Sequence, residues 1–411
     1  MTRSDVTARV VHGTTESGFE GVRYEFERNL ADRGEFGAAF AVYHRGRLVV
    51  DLWGGHLDKQ RTRPWQQDTV TTVFSTTKGV SATALALAHS RQLLDWDAPV
   101  ARYWPEFAQV GKQDITVRQL CAHQAGLCAV DEPLDAEILG DLDRLAEILA
   151  RQKPAWEPGS RHGYHAISLG WFQGELLRRV DPQHRSLGRF FREELAEPLG
   201  LDFHIGLPAT FPESRIARIH PLSIARALLK WGAPNTLPPK MLLGMLNPWS
   251  LTGRAFANPR MRGRVDFNRS PALRAVEIPS VNGIGDARSI ARLYSAFACG
   301  GSELGLRKET LDSLMADAVY PSGGLDDLVL RAETVFSLGF MKPSPVYDFA
   351  SSPRAFGTPG AGGSFGFADP DARLGMGYVM NKMGVYLVDD PREKALRDAA
   401  YRALAKLGPG D

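Results

Sequence analysis

The sequence is poor in cysteine and lacks any long hydrophobic run. Only three cysteines, Cys121, Cys128 and Cys299, occur in 411 residues. An odd and low number is typical of a reducing compartment, because a disulfide framework needs paired cysteines. No apolar stretch approaches the ~20 residues of a membrane-spanning helix, and residues 1–21 lack the apolar centre of a secretory signal. We therefore expect a cytoplasmic protein with no membrane partner.

An excess of charge of one sign is also missing. The chain has 49 Lys and Arg against 47 Asp and Glu, a formal net charge of +2. No strong field therefore attracts nucleic acid. His162 and His165 stand three apart, and Cys121 and Cys128 flank His123, but no further ligand follows either group in metal-like spacing. We expect no nucleic-acid partner, no metal and no cofactor.

Strand patterns stand at both ends of the chain and helical patterns in the middle. Residues 36–55 predict two strands joined by a turn at Arg45–Arg47. The last third predicts short strands and then a helix, whereas the residues between predict mostly helices, the first of them small-residue, buried and starting near Gly79. The simplest architecture is an α+β fold, in which an antiparallel sheet formed from both chain ends is flanked by helices.

The same pattern predicts the domain boundaries. Residues 1–85 and 276–411 form a discontinuous α/β domain, and residues 86–275 an inserted helical domain. Its last part, residues 231–275, is rich in Pro, Gly, Asn and Arg and has no long periodic pattern. We expect that part to be an irregular segment that lines or covers a cleft.

Residues 362–366 read G-x-S-x-G, the string that carries the nucleophile of α/β-hydrolases. That nucleophile must sit on a sharp turn between a strand and a helix. No helical pattern follows Ser364; a turn signal at Asp369–Asp371 between apolar stretches predicts a hairpin instead. The sequence therefore favours another nucleophile.

Ser75 and Lys78 are a better candidate for the nucleophile and its base. They are three residues apart at the start of the buried helix, so their side chains lie on the same face. The helix dipole acts on the Ser75 oxygen, and burial lowers the pKa of an amine so that it can accept the hydroxyl proton. Phe74, just before Ser75, is a candidate substrate contact. The alternative interpretation is a helix-capping serine beside a solvated lysine.

Two further pieces complete the candidate site. Tyr164 follows a Pro-Gly turn and can relay protons beside a lysine, although a tyrosine is more often simply packed. In the Gly-rich stretch 357–366 the backbone can face a bound carbonyl, so the amides of Ser75 and Ala361 form a candidate oxyanion hole. Gly360 and Gly362 allow close approach of substrate. A Gly-rich sheet edge without a ligand remains the alternative.

Together these motifs resemble those of serine β-lactamases and penicillin-binding proteins, and most of all family VIII carboxylesterases, which have a class C β-lactamase fold. The resemblance rests on Ser75-Thr76-Thr77-Lys78, Tyr164-His165-Ala166 and Thr358-Pro359-Gly360, and on residues 115–127, and it spans residues 36–381. It implies an α/β domain and a helical domain with the site in the cleft between them. It also implies an acyl-enzyme on Ser75, activated by Lys78, with Tyr164 as proton relay.

Two departures from the family motifs bear on the substrate. Ala166 replaces the asparagine of Y-x-N, and Thr358 replaces the lysine of K-T-G, so an amide and a cation that would hold a β-lactam are missing. His162 or an arginine of residues 254–269 remains a candidate substitute for that cation. We expect a serine hydrolase of short-chain carboxylic esters with a small-molecule ester as its partner. An acyltransferase, an amide hydrolase, a weak β-lactamase or a non-catalytic penicillin-binding protein remains the alternative.

Overall fold

Eight antiparallel strands form the main sheet of the protein. The computed structural model describes residues 10–259 and 270–407. The strands follow the order β1-β3-β2-β11-β10-β9-β8-β7, and a second sheet has the order β4-β6-β5. Strands from both chain ends meet where β2 pairs with β11, which confirms the predicted α+β fold. Their bounds are β1 Val11–Thr15, β2 Gly37–His44, β3 Arg47–Gly55, β4 Thr71–Thr72, β5 Phe203–His204, β6 Ile284–Gly285, β7 Phe336–Ser337, β8 Phe340–Met341, β9 Phe356–Pro359, β10 Phe365–Asp369 and β11 Leu374–Met380.

Helices cover both faces of the main sheet and fill the middle of the chain. Four of them are used below by name: the central helix (Thr77–Ser90), the rim helix (Pro239–Leu246), the back helix (Ala287–Ala298) and the terminal helix (Pro391–Leu404). The other α-helices are Glu20–Ala31, Val117–Cys121, Ala136–Gly140, Leu142–Arg151, Ser168–Val180, Leu187–Phe191, Glu197–Leu199, Ile224–Leu229, Leu251–Ala257, Pro271–Ala275 and Lys308–Met315. Short 3₁₀ turns span Phe74–Thr76, Val100–Arg102, Pro105–Phe107, Glu213–Arg215 and Ser302–Leu304, and a π-turn spans Arg192–Ala196.

The β2–β3 hairpin closes with a two-residue loop, as the sequence predicts. His44 pairs with Arg47, and Arg45 and Gly46 between them have φ of 51° and 77°. Positive φ at both loop residues is the geometry of a type I′ turn, whose twist matches that of the strands. The register of the first two long strands is therefore set locally.

Alternate residues of the central strands face two different helical layers. In β2, Phe40 packs in the cluster that contains Leu396 of the terminal helix, whereas Ala39 packs in the cluster that contains Tyr294 of the back helix. Glycines of β11 let the back helix approach closely, because a Cβ at Gly375 would lie 2.2 Å from the Ser295 nitrogen. The sheet is thus the middle layer of three.

The central helix is buried on every side, and only His89 of its residues is not buried. A helix of small and apolar residues can pack all round in this way. Gly79 is required there, since a Cβ would lie 2.0 Å from the hydroxyl of Tyr294. The N-terminus of this helix, which carries Lys78 and follows Ser75, is therefore packed between the sheet and the helical region.

One sequence prediction differs from the structure. Residues 231–275 were expected to be irregular, yet the rim helix, Leu251–Ala257 and Pro271–Ala275 form there; their few turns are too short to give a periodic pattern. The helix Val117–Cys121 is short, and His123 just after it takes a positive φ of 61°, which a helix does not contain. Residues 260–269, with four of the arginines considered for a substrate contact, lie outside the described part. The boundaries at 85 and 276 stay predictions.

Candidate active site

Ser75 lies in the one-turn 3₁₀ helix Phe74–Thr76 that leads into the central helix. Phe74 has φ of 48°, an uncommon conformation for a residue with a side chain, which the surroundings must hold. The buried Thr77 hydroxyl does so by donating to the Phe74 carbonyl at 2.5 Å and accepting from the Gly283 amide at 3.0 Å. Ser75 is half-buried and lines a cavity.

The amine of Lys78 is buried and surrounded by oxygen atoms. Its Nζ lies 2.6 Å from the Ala166 carbonyl, 3.0 Å from the Ser280 carbonyl and 3.4 Å from the Ser75 Oγ. Burial lowers the pKa of Lys78 well below its usual value. A neutral amine has two N–H groups and one lone pair. With the two carbonyls as acceptors of its N–H groups, the lone pair of a neutral Lys78 amine would face the Ser75 Oγ.

Tyr164 packs against Lys78. The Nζ of Lys78 lies 4.6 Å from the centre of the phenol ring. Burial raises the pKa of Tyr164, and a hydrogen bond with the Ser75 side chain opposes this shift only in part. The pKa values of Lys78 and Tyr164 thus move in opposite directions, which favours the lysine as base and the phenol as acid.

Asp327 orients Tyr164 through the backbone. Its Oδ1 accepts hydrogen bonds from the amides of Tyr164 at 3.1 Å, Val329 at 2.8 Å and Leu330 at 2.7 Å. Asp327 is buried, so this carboxylate ties the Tyr164 turn to residues 327–330 across a long sequence separation. Sequence reasoning missed Asp327, because no motif or spacing marks a residue that acts on a distant backbone amide.

Two buried histidines support the same turn. His165 places Nδ1 2.7 Å from the Gly163 carbonyl and accepts the Leu127 amide at Nε2 at 3.0 Å, so its proton is on Nδ1. Burial lowers the pKa of His165 to about 3. His123 accepts the His165 amide at Nδ1 at 3.0 Å and packs against the Tyr164 ring. Both imidazoles are therefore neutral supports of the Tyr164 turn.

The Gly-rich stretch forms a tight turn between β9 and β10. The Gly360 amide donates to the Ser364 carbonyl at 2.7 Å, and the Gly363 amide to the Gly360 carbonyl at 3.1 Å. A Cβ at Gly360 would lie 2.3 Å from the Val73 carbonyl, just before the Ser75 turn. This close approach brings Ala361, which lines the cavity, to the same site as Ser75.

Ser364 is a structural residue of that turn. Its side chain is buried, its Oγ donates to the Val73 carbonyl at 2.8 Å, and the Thr76 Oγ1 lies 3.1 Å away. Strand β10 follows Ser364 directly, so the strand–turn–helix geometry of a nucleophile elbow does not form.

The cavity in front of Ser75 has a volume of about 160 Å³ and a mostly apolar wall. Among the described residues its ionisable carboxylate and amine groups are those of Glu333 and Lys78. The apolar wall is contributed by Leu222, Leu237, Met241, Phe256, Leu330, Val335, Phe336, Met341, Val346, Met383, Leu387 and Val388. Such a wall suits an uncharged substrate.

Seven of the nine predicted site residues line this one cavity: Ser75, Lys78, Tyr164, Thr358, Gly360, Ala361 and Gly362. Phe74 and His162 are not among the described lining residues, and their substrate contacts stay predictions. His162 is buried behind the wall, with Nε2 2.9 Å from the Thr334 hydroxyl, and burial lowers its pKa. Phe74 stands outside the lining, although its backbone positions Ser75. Arg254, the arginine of residues 254–269 that lies in the described part, pairs with Asp131.

Residues 10–259 and 270–407 contain neither a metal-ligand cluster nor a membrane-spanning helix. No group of three or more His, Cys, Asp or Glu side chains is arranged to hold a metal ion. No helix in these ranges is long and apolar enough to cross a membrane. Cys121 and Cys128 are buried, and burial raises the pKa of both thiols to about 12, so neither is a reactive thiolate.

Comparison with known proteins places this geometry among relatives. The sequence model of the family described as Beta-lactamase matches residues 23–400. The esterase/β-lactamase LipL of Mycobacterium tuberculosis is 34% identical over 91% of this chain and 84% of its own. A family VIII carboxylesterase structure is 38% identical, with a TM-score of 0.82 over 96% of this chain and 100% of its own. A penicillin-binding protein homologue from Caulobacter crescentus is 37% identical, with the same TM-score over 96% and 100%.

Proposed function

Because the chain belongs to the β-lactamase family, we propose that it is a serine carboxylesterase that cleaves short-chain esters through an acyl-enzyme on Ser75. The observation that carries the proposal is the placement of Lys78, with Nζ 3.4 Å from the Ser75 Oγ and two carbonyls as its other partners. Relatives described as an esterase/β-lactamase and as a family VIII carboxylesterase support an ester as substrate.

In the acylation step the Ser75 Oγ attacks the ester carbonyl while its proton passes to the neutral amine of Lys78. The carbonyl oxygen gains negative charge. The Ser75 amide lies in the 3₁₀ turn Phe74–Thr76, where the first amides have no intrahelical acceptor, and together with the Ala361 amide of the Gly-rich turn it stabilises that oxyanion. Tyr164 passes a proton from Lys78 to the leaving alkoxide, and the alcohol departs.

In the deacylation step a water molecule attacks the acyl carbonyl from the cavity. A proton of the water passes through the Tyr164 hydroxyl to the neutral amine of Lys78, the same amides hold the oxyanion, and the Ser75 oxygen leaves and takes this proton back from Lys78. The carboxylic acid is released, and the enzyme returns to its starting state. Both steps use the one proton that Lys78 and Tyr164 share, so the two groups titrate as a pair.

The size and lining of the cavity support a small neutral ester. A cavity of about 160 Å³ is close to the ~150 Å³ that holds benzene in an apolar protein interior. A butyryl chain or an aryl alcohol is of that size. Because the wall is apolar, such a group gains from burial, whereas a charged acid loses hydration without a partner.

The test is turnover of p-nitrophenyl acetate, butyrate and longer esters, with mass spectrometry of the intact enzyme trapped during turnover. We expect an acyl mass increase on the peptide that contains Ser75. An added alcohol separates hydrolysis from acyl transfer, since ester exchange marks a transferase. A stable adduct at Ser75 without turnover would support a non-catalytic penicillin-binding protein instead.

A further inference from the structure

The outer face of the rim helix is apolar and exposed. Leu243 is 58% exposed and Leu246 81%, and Trp249 in the following turn is 87% exposed. The inner face carries Met241, which is buried and lines the cavity. A helix that is apolar on both faces is normally covered on both.

Exposed large apolar side chains concentrate in this part of the chain. Between residues 229 and 249 six of them are exposed, half of those found on the described surface: Leu229, Trp231, Leu243, Met245, Leu246 and Trp249. We call these six residues the apolar rim. Patches of this kind mark sites of interaction with other surfaces.

The turn that presents Trp249 is well held. The Ser250 hydroxyl donates to the Gly244 carbonyl at 2.6 Å and accepts the Gly253 amide at 2.9 Å, where it caps the next helix. The Trp249 amide donates to the Asn247 side chain at 3.0 Å. The backbone at Trp249 is thereby fixed between two helices, with the indole outside.

Charge identifies the kind of surface that fits the apolar rim. Residues 214–259 contain no carboxylate and six cationic residues, Arg215, Arg218, Arg226, Lys230, Lys240 and Arg254, whereas the chain as a whole has a net charge of only +2. Arg215 and Arg254 pair with carboxylates of other segments. Lys240 is exposed beside Leu243, and Lys230 is exposed beside Leu229 and Trp231, where its amine also contacts the Tyr386 hydroxyl.

We propose that the apolar rim docks on an anionic lipid surface. Exposed Trp and Leu side chains enter the boundary between headgroups and acyl chains, and flanking lysines contact the anionic headgroups. A second copy of this chain fits less well, because a two-fold dimer would place the same cationic segment against itself. Docking would hold the cavity, lined by the inner face of the rim helix, beside the lipid.

This docking does not depend on the proposed esterase activity, because binding is measured without turnover. The probe is sedimentation of the full chain with vesicles of phosphatidylcholine alone or mixed with phosphatidylglycerol, at low and high salt. We expect binding to the anionic vesicles that weakens with salt. Equal binding to both vesicles, or none to the anionic ones at low salt, would overturn the proposal.

Three variants sharpen the test. The triple change Leu243→Ser, Leu246→Ser and Trp249→Ser should lower the vesicle binding constant at least about tenfold, and Lys240→Glu at least roughly fivefold. Tyr24→Ser, at a residue that is 59% exposed on the helix Glu20–Ala31, is the matched control and should bind like the wild type. Thermal unfolding and turnover of p-nitrophenyl butyrate check that each variant is folded.

A second measurement covers the case in which the triple variant unfolds. Brominated lipid in the vesicles should quench tryptophan fluorescence of the wild type and do so less in Trp249→Phe. Light scattering measures the mass in solution. A wild-type dimer that the single change Trp249→Ser makes monomeric, with unchanged vesicle binding, would assign the rim to a second copy and overturn the lipid proposal.

Discussion

Arg392 of the terminal helix donates through Nη2 to the carbonyl of Gly362, 2.8 Å away, in the Gly-rich turn beside Ser75. Its Nη1 donates to the Lys382 carbonyl at 2.8 Å, and its charge is held by Glu35 and Asp390. Gly362 has φ of 89°, which glycine adopts without strain, and Arg392 fixes the direction of its carbonyl. A buried ion network thus extends from the C-terminal part of the chain to the candidate oxyanion hole.

Arg392→Lys should therefore impair catalysis. Lysine keeps the charge but lacks the planar fork that reaches two carbonyls at once. We expect kcat to fall roughly 10-fold to 100-fold, because a small displacement of the Ala361 amide weakens oxyanion binding. Stability should fall by about 1–3 kcal/mol through the lost charge-assisted hydrogen bonds. Ester kinetics and thermal unfolding measure the two effects.

Arg397→Lys is the matched control on the same helix. Arg397 is also buried and pairs with Glu393 and Asp389, but it donates to the Asp348 carbonyl and not to the turn. We expect a similar loss of stability with kcat nearly unchanged. Equal losses of kcat in both variants would show that Arg392 acts only on overall stability.

The two serines of the site should differ clearly in their effect on catalysis when each is replaced by alanine. Ser75→Ala removes the covalent route and should lower kcat on the order of 10³-fold or more. Ser364→Ala should retain most activity and lose about 1 kcal/mol of stability, because the Val73 carbonyl keeps only the hydrogen bond from the Thr76 amide. A fluorophosphonate probe followed by peptide mass spectrometry locates the nucleophile, and labelling of Ser364 would disprove the assignment.

The pH dependence of kcat/KM should follow the shared proton of Lys78 and Tyr164. The pKa of Lys78 is lowered and the base must be neutral, so activity should rise, by about tenfold per pH unit at most, as the pH increases through the pKa of the pair. The raised pKa of Tyr164 keeps the phenol protonated across this range. Activity that falls between mildly acidic and mildly alkaline pH would contradict this assignment.

The same depressed pKa has a consequence for stability. In the unfolded chain Lys78 binds a proton up to its usual pKa of 10.5, whereas the folded protein releases it earlier. Between the two pKa values the unfolded state binds more protons, so the Lys78 contribution to stability rises with pH in this window. In Lys78→Met this contribution should be absent, which urea unfolding at several pH values measures.

Local patterns allowed much of the fold to be predicted from the sequence. The hairpin at Arg45–Gly46 and the buried helix after Ser75 depend on neighbours in the chain, and both formed as expected. The partners of Lys78 depend on long-range contacts, since Ala166 and Ser280 contribute backbone carbonyls that no side-chain motif reveals. Asp327 and Arg392 were missed for the same reason.

Averaging hid the charge of the rim region. The net charge of +2 is the sum over all 411 residues. In this sum the positive charge of the segment 214–259 is offset by an excess of carboxylates in the rest of the chain. The sequence also could not indicate which apolar residues of the rim helix stay exposed, because Met241 and Leu243 are both apolar residues of the same short helix. Their difference arises from which helix face packs over the cavity.

The lining of the cavity should make the enzyme prefer neutral esters over β-lactams. A β-lactam carries a carboxylate, and a charge-assisted contact to it contributes about 1.5–3 kcal/mol. Among the described lining residues the only Lys or Arg is Lys78, which the reaction uses, and Glu333 adds a carboxylate that repels the substrate. Thr358, an uncharged residue of the same wall, already accepts a hydrogen bond from the Tyr294 hydroxyl at 3.3 Å. We expect kcat/KM for p-nitrophenyl butyrate to exceed that for nitrocefin by about 100-fold or more.

Two variants test whether the missing cation causes this gap. Thr358→Lys should raise kcat/KM for nitrocefin about tenfold, which is the lower end of one charge-assisted contact. Thr358 is buried, so the added lysine is costly to hold; Glu333→Lys, at an exposed position of the same cavity wall, supplies the charge with less risk to folding. Glu333→Gln is its matched control, since it removes the repulsion without adding a cation and should give a smaller gain. Ester turnover should change little in the two Glu333 variants, because a neutral substrate does not need the charge.

If the wild-type enzyme hydrolyses nitrocefin as fast as the butyrate ester, the carboxylesterase proposal is wrong and a β-lactamase takes its place.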